Sequence, residues 1–128
     1  MRIILIIGVA SIGYAATFDE LTESKARGKE VYNNNCVVCH MGQGEGVEAL
    51  NPPLAKSDYL LKTPEKALRA IKIGLEGPVV VNGVKYDGMM AGLGLSDEEV
   101  ADVMNYISNS WGNKSAKIYT PKMVAAIK

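Results

Sequence analysis

The chain has 128 residues, 14 basic and 14 acidic, and so carries no formal net charge. That length favours one small domain. The balanced charge excludes a nucleic-acid partner, which needs a dense basic face.

Met1-Arg2 is a short positive start, followed by an apolar stretch from Ile3 to about Ile12. Gly13-Tyr14-Ala15 then offers small residues at the positions a signal peptidase reads. Residues 1–15 are therefore expected to be a cleaved signal peptide, with the cut after Ala15 or Ala16, and 16–128 the mature domain. The stretch falls short of the roughly 20 residues a membrane span needs, so no stable membrane insertion is expected. A soluble periplasmic protein follows. Cleavage would remove Arg2 and no acid, leaving a near-neutral body.

A first helix is expected over about 20–35, with Gly28 and Tyr32 four apart on it. A helical glycine costs about 1 kcal/mol against alanine, which implies a packing reason for Gly28. Next come Cys36-Val37-Val38-Cys39-His40, which hold both cysteines and the single histidine. On a helix, positions i, i+3 and i+4 share a face, so two thiols and an imidazole point at one object. The C-x-x-C-H pattern reads as a c-type haem attachment site, with thioethers from Cys36 and Cys39 and His40 as an axial iron ligand. The rivals explain less. Structural zinc needs four ligands, a redox pair needs a βαβ setting, and a disulfide leaves His40 without a role.

Residues 41–53, with Gly42, Gly44, Gly46 and Pro52-Pro53, read as a loop. Thr63-Pro64-Glu65 announces a helix that should stop at Gly74. Val79-Val80-Val81, Asn82-Gly83 and Val84-Lys85-Tyr86 predict a hairpin with a type I′ turn. Asp87–Gly92 reads as an irregular, glycine-flanked loop. Ser96-Asp97-Glu98-Glu99 is a capping box, followed by an apolar stripe at Val100, Val103, Met104 and Ile107. Gly112 lies just past the expected helix end. Residues 113–128 form a basic C-terminal tail in which Thr120-Pro121 starts a short helix. The pattern is all-α with one small hairpin.

The iron's sixth position falls to a methionine or to none, since no second histidine exists. Met1 leaves with the signal, Met41 adjoins His40, Met104 belongs to the helix stripe and Met123 to the tail. Met89 and Met90 remain.

These residues resemble the class I c-type cytochromes over nearly all of the mature chain. The resemblance implies a cytochrome c fold: helices around one covalent haem c, with a small β-hairpin before a methionine loop. Gly28 and Tyr32 look like the family's glycine and aromatic on the first helix, and Tyr106 like the aromatic that packs over that glycine. Asn51-Pro52-Pro53-Leu54 is similar to the family's Pro-x-Leu segment. That match implies a Pro52 carbonyl accepting from the His40 ring and Leu54 packed on the haem. Gly77–Gly83 and Ser110-Trp111-Gly112-Asn113 resemble a bacterial subset with the hairpin and a final helix ending Ser-Trp-Gly-Asn. Tyr86-Asp87-Gly88-Met89-Met90-Ala91 is similar to that subset's Tyr-Asn-Gly-x-Met-Pro, which selects Met90 as ligand. Tyr86 is either a donor towards a propionate or the ligand sulfur, or a hairpin residue packed on the core. Ala91 departs from the pattern and keeps Met89 as the alternative.

The function so implied is a periplasmic mono-haem electron carrier between respiratory redox proteins, not an enzyme, acting as a monomer or in transient complexes. Methionine ligation raises the reduction potential. Lys56, Lys62, Lys66, Lys72 and Lys85 are candidates to steer an acidic partner. One alternative is a haem protein with a labile sixth site that binds a gas. The other is a permanent cytochrome subunit of a larger oxidoreductase, docked through Ile118, Tyr119, Met123, Val124 and Ile127 of the tail.

Overall fold

The computed structural model describes residues 12–128, with side chains from Thr17 onward. Of the expected signal segment, residues 1–11 lie outside the described residues and 12–15 are described by their backbone alone. Helix α1 runs Ile12–Asn35 and is longer than the sequence pattern suggested. Ala15-Ala16 are strong helix formers and nothing between them and the motif breaks the helix.

Helix α1 packs across α5, Asp97–Ile107, as the principal helix pair of the fold. The inward positions of α1 are Ser24, Gly28, Val31 and Tyr32, at helical spacing. Val100, Val103, Met104 and Ile107 answer from α5, all buried as the stripe predicted. At the crossing a Cβ on Gly28 would overlap the Asp102 carbonyl and lie 2.9 Å from Tyr106 Cβ. Only hydrogen fits there, which is the packing reason the sequence implied. Beside it the buried Asp102 carboxylate accepts from Ser24 Oγ at 2.6 Å and Arg27 Nε at 2.7 Å, locking the two helices in register. The Ser96 capping box is complete.

Between these helices lie α2 (Val37–His40), α3 (Asp58–Lys62) and α4 (Pro64–Ile73). The five-residue α3 is too short to show a period and was not expected. It changes the role of Thr63, whose hydroxyl donates back to the Tyr59 carbonyl at 2.6 Å and makes no side-chain cap on α4. Pro64 at the first turn starts α4 without that cap, and Gly74, at φ 101°, ends it.

Strands β1 (Gly74–Val81) and β2 (Val84–Ala91) form one antiparallel hairpin. Asn82 and Gly83 both take positive φ, 51° and 80°, as a type I′ turn requires. The strands run further than expected. Asp87–Ala91 are not an irregular loop, because Gly88 pairs with Gly77 and Met90 with Leu75.

The tail also departs from the docking role considered for it. Tyr119 and Val124 are buried in the core, with Ile127 packed against it. Asn105 donates to the Tyr119 carbonyl and accepts its N–H, and Lys72 Nζ donates to the Val124 carbonyl at 2.8 Å. Helix α6, Pro121–Ala125, starts where Thr120-Pro121 predicted. The tail's apolar residues close the far side of the molecule.

Candidate cofactor site

Cys36 is the N-cap of the single-turn helix α2, so the pentapeptide begins at a break in the helix and not within one. The turn is preserved nonetheless, because the His40 N–H reaches the Cys36 carbonyl at 2.9 Å. His40 is buried, 8% exposed. The Pro52 carbonyl lies 2.9 Å from His40 Nδ1. A carbonyl can only accept, so Nδ1 carries the proton and Nε2 is left as the ring's ligating nitrogen. Burial lowers the His40 pKa more than the Pro52 bond raises it, and the imidazole is neutral at neutral pH. The Cys36 thiol is pushed up to about 11, first by burial and then by Cys39, and remains protonated. Both cysteines are free.

The loop after His40 folds back to deliver Pro52. Gly46, at φ 67°, approaches so closely that a Cβ would overlap the Asn51 carbonyl and sit 2.7 Å from the Pro52 carbonyl carbon. A bridge between Val47 and Asn51 closes this turn. Leu54 then turns into the core with its N–H on the Gly44 carbonyl at 2.7 Å.

Opposite stands the inner face of the hairpin. Inward positions alternate along each strand. The register sets Leu75 against Met90, Gly77 against Gly88 and Val79 against Tyr86. Met90 is half-buried against the core, whereas Met89 points outward and is 77% exposed. In the middle the paired glycines leave a recess. A Cβ on Gly77 would meet nothing within 4 Å, and one on Gly88 only the Leu50 carbonyl at 4.0 Å.

A cavity of about 320 Å³ fills the space between, lined among others by Cys36, Cys39, His40, Pro52, Tyr86 and Met90. A deeper one of about 70 Å³ shares Cys36, His40, Pro52 and Met90 and adds Leu54, Leu60, Val103 and Ile107. Thus Cys36, Cys39, His40, Pro52, Leu54, Tyr86 and Met90 meet at one place, with Met89 at its rim. No charged residue lines either cavity, and Lys56, Lys62, Lys66, Lys72 and Lys85 are not among the lining residues. Lys72 pairs with Asp97 at 3.2 Å and serves the tail. The sequence reading missed Leu75, Val79 and the glycine recess, because Gly77-Pro78 and Asp87-Gly88 hide the period-2 alternation. It also missed the rim residue Leu50, which sits in the Val47–Asn51 turn that no local period marks.

Among the described residues no three His, Cys, Asp or Glu side chains cluster to hold a bare metal ion. The donor set fits a covalently tethered iron porphyrin: two free thiols, one neutral imidazole with Nε2 uncommitted, a thioether on the facing wall and an open recess between apolar surfaces. Among the described residues no helix is long and apolar enough to cross a membrane.

Comparison with known proteins agrees with this geometry. The family model for cytochrome c matches residues 25–111. Cytochrome c-552 of Thermus thermophilus is 34% identical over 114 residues, covering 84% of this chain and 76% of the relative. The cytochrome c subunit of a quinone alcohol dehydrogenase from Gluconobacter oxydans is 36% identical over 92 residues, 69% of this chain but 19% of that protein. The cytochrome c subunit of gluconate 2-dehydrogenase from Pantoea cypripedii is 34% identical over 105 residues, 79% of this chain and 24% of that protein.

Proposed function

The chain belongs to the cytochrome c family and carries covalent haem c, and from that premise we propose that it is a mono-haem, periplasmic electron carrier with His40 and Met90 as axial ligands. Bound haem supplies a one-electron couple between Fe(III) and Fe(II). Cys36 and Cys39 tether it by thioethers. His40 offers Nε2, held in orientation by Pro52, and Met90 offers its sulfur from the facing strand. Leu54, Leu75 and Val79 keep water off the site, and Tyr86 closes the wall as a candidate donor. With both axial positions occupied by side chains no vacancy is left for a substrate, which suits a carrier.

The convergence of the two thiols, His40 and the inward-facing Met90 on one uncharged cavity carries this reading. The extent of the domain, 16–128 after loss of residues 1–15, and the likeness to the subset ending Ser-Trp-Gly-Asn belong to the same proposal. Its test is optical spectroscopy of the holoprotein in both oxidation states. Wild type and Met89→Ala should show the sulfur-to-iron charge-transfer band when oxidised, and Met90→Ala should lose it and bind carbon monoxide rapidly when reduced. If Met90→Ala kept the band, Met90 would not be the ligand; if wild type bound carbon monoxide at once, the gas-binding alternative would hold.

The two relatives named as dehydrogenase subunits favour one second reading, a permanent cytochrome subunit. Recovery of the native protein at fixed stoichiometry with an oxidoreductase would establish it; recovery as a free monomer keeps the carrier.

A further inference from the structure

Asn113 is buried, 4% exposed, although it follows the end of α5 in a turn. Both ends of its amide are used. Nδ2 donates to the Leu54 carbonyl at 2.9 Å and the Ile107 carbonyl at 2.8 Å, and Oδ1 accepts from the Lys56 N–H at 2.7 Å. We propose that Asn113 is a positioning residue for His40: it ties residues 54–56 to the end of α5 and thereby holds the Pro52 carbonyl on Nδ1. This rests on His40 as the axial ligand.

The need for an external tie comes from the sequence. Pro52 and Pro53 have no N–H, so the segment that presents the accepting carbonyl cannot anchor itself by donating. Before it Asn51 pairs with Val47, and after it the first anchors are the Leu54 and Ala55 N–H groups, both on the Gly44 carbonyl, at 2.7 and 2.9 Å. Gly44 is in turn pressed beneath Trp111, whose ring a Cβ there would overlap. The second anchor is Asn113. Trp111, which presses on the first anchor, and Asn113, which supplies the second, come from one turn, in which Trp111 and Gly112 take positive φ, 54° and 86°, and the Asn113 N–H closes on the Ser110 carbonyl at 2.8 Å. That turn sets Trp111 against Gly44 and Asn113 on the Leu54 carbonyl and the Lys56 N–H. The Ser-Trp-Gly-Asn sequence is thus a two-pronged brace on the histidine's support.

A carbonyl that accepts from Nδ1–H makes Nε2 a stronger donor, and loss of such outer support weakens the ligand. A stronger imidazole favours Fe(III), so loosening Pro52 raises the reduction potential. Asn105 provides the control, since it too is a buried asparagine with three hydrogen bonds, to Ser24 Oγ and to the Tyr119 carbonyl and N–H, and it touches no part of the His40 support.

The test compares holoproteins of wild type, Asn113→Ala and Asn105→Ala by voltammetry, chemical denaturation and the NMR signal of His40 Nδ1–H in the reduced state. Asn113→Ala should raise the potential and speed exchange of that proton roughly tenfold, the low end of what losing an outer support costs a ligand. Asn105→Ala should lose comparable stability and move neither. Should Asn113→Ala not fold, Asn113→Ser, whose hydroxyl can serve one of the three partners, should shift both readouts in the same direction by less. If Asn113 variants lose stability while potential and exchange match wild type, the positioning role is overturned and the haem reading stands. If wild type itself shows no histidine-ligated haem, both fall.

Discussion

At Gly28 the approach of two helices depends on one missing methyl group. Gly28→Ala would gain about 1 kcal/mol of helix propensity, but the atom it meets is the Asp102 carbonyl, backbone that cannot rotate aside. Overpacking of this kind costs about 1–3 kcal/mol, and the rigid partner puts the cost at the upper end. Denaturant unfolding of the holoprotein should therefore show Gly28→Ala less stable by about 2 kcal/mol; equal or greater stability would mean that the helices slide apart freely. The adjacent methionines differ in the same physical way. Met89→Ala removes a side chain that is mostly in water and should stay within about 0.5 kcal/mol of wild type. Met90→Ala removes a thioether packed against the core and should lose both stability and sulfur ligation.

The hairpin is where element-scale structure exceeded what could be read from the sequence. Its turn was legible because Asn82-Gly83 is a local signal with a backbone cause. The strands beyond Tyr86 were not, because Asp87-Gly88 mimics a turn and only pairing with Gly74–Pro78 extends them. That extension bears on the site, since strand alternation, not loop packing, separates Met90 from Met89. In the same way Thr63 could be read as a helix start, but the five-residue α3 before it, which claims its hydroxyl, could not. Motif residues such as Cys36, Cys39 and His40 were legible because their spacing alone carries the chemistry; the recess at Gly77 and Gly88 arises only from register. Gly88→Val tests that recess. Valine suits a strand, and Gly88 does not take the left-handed conformation of Gly77, so the hairpin should persist. The added side chain would occupy the open space at an overpacking cost of about 1–3 kcal/mol in the loaded protein. The haem-to-protein ratio by absorbance should fall while the hairpin's NMR cross-strand contacts remain; full loading would show that the recess is not haem space.

On the scale of the whole molecule, charge and apolar surface are segregated. The walls of the cavity carry no charge, and Leu50 and Met89 at its mouth, among the most exposed apolar residues described, are 69% and 77% exposed. Of the five candidate lysines none lines the cavity, and Lys72 pairs with Asp97 and Lys85 with Asp87. With no formal net charge on the chain as well, neither the local nor the overall field can steer a charged reagent strongly. Salt screens exposed charges beyond about 8–10 Å at 0.10–0.15 M, so a carrier that reacts at a lysine-ringed mouth would slow markedly with salt against an anionic oxidant and quicken against a cationic one. Here both rates, followed by stopped-flow oxidation of the reduced protein with small anionic and cationic reagents, should change by no more than about twofold between low salt and 0.2 M. A tenfold fall for the anionic reagent alone would place basic side chains at the transfer edge after all. It would then be the apolar rim, and not the lysines, that has no part in meeting a partner.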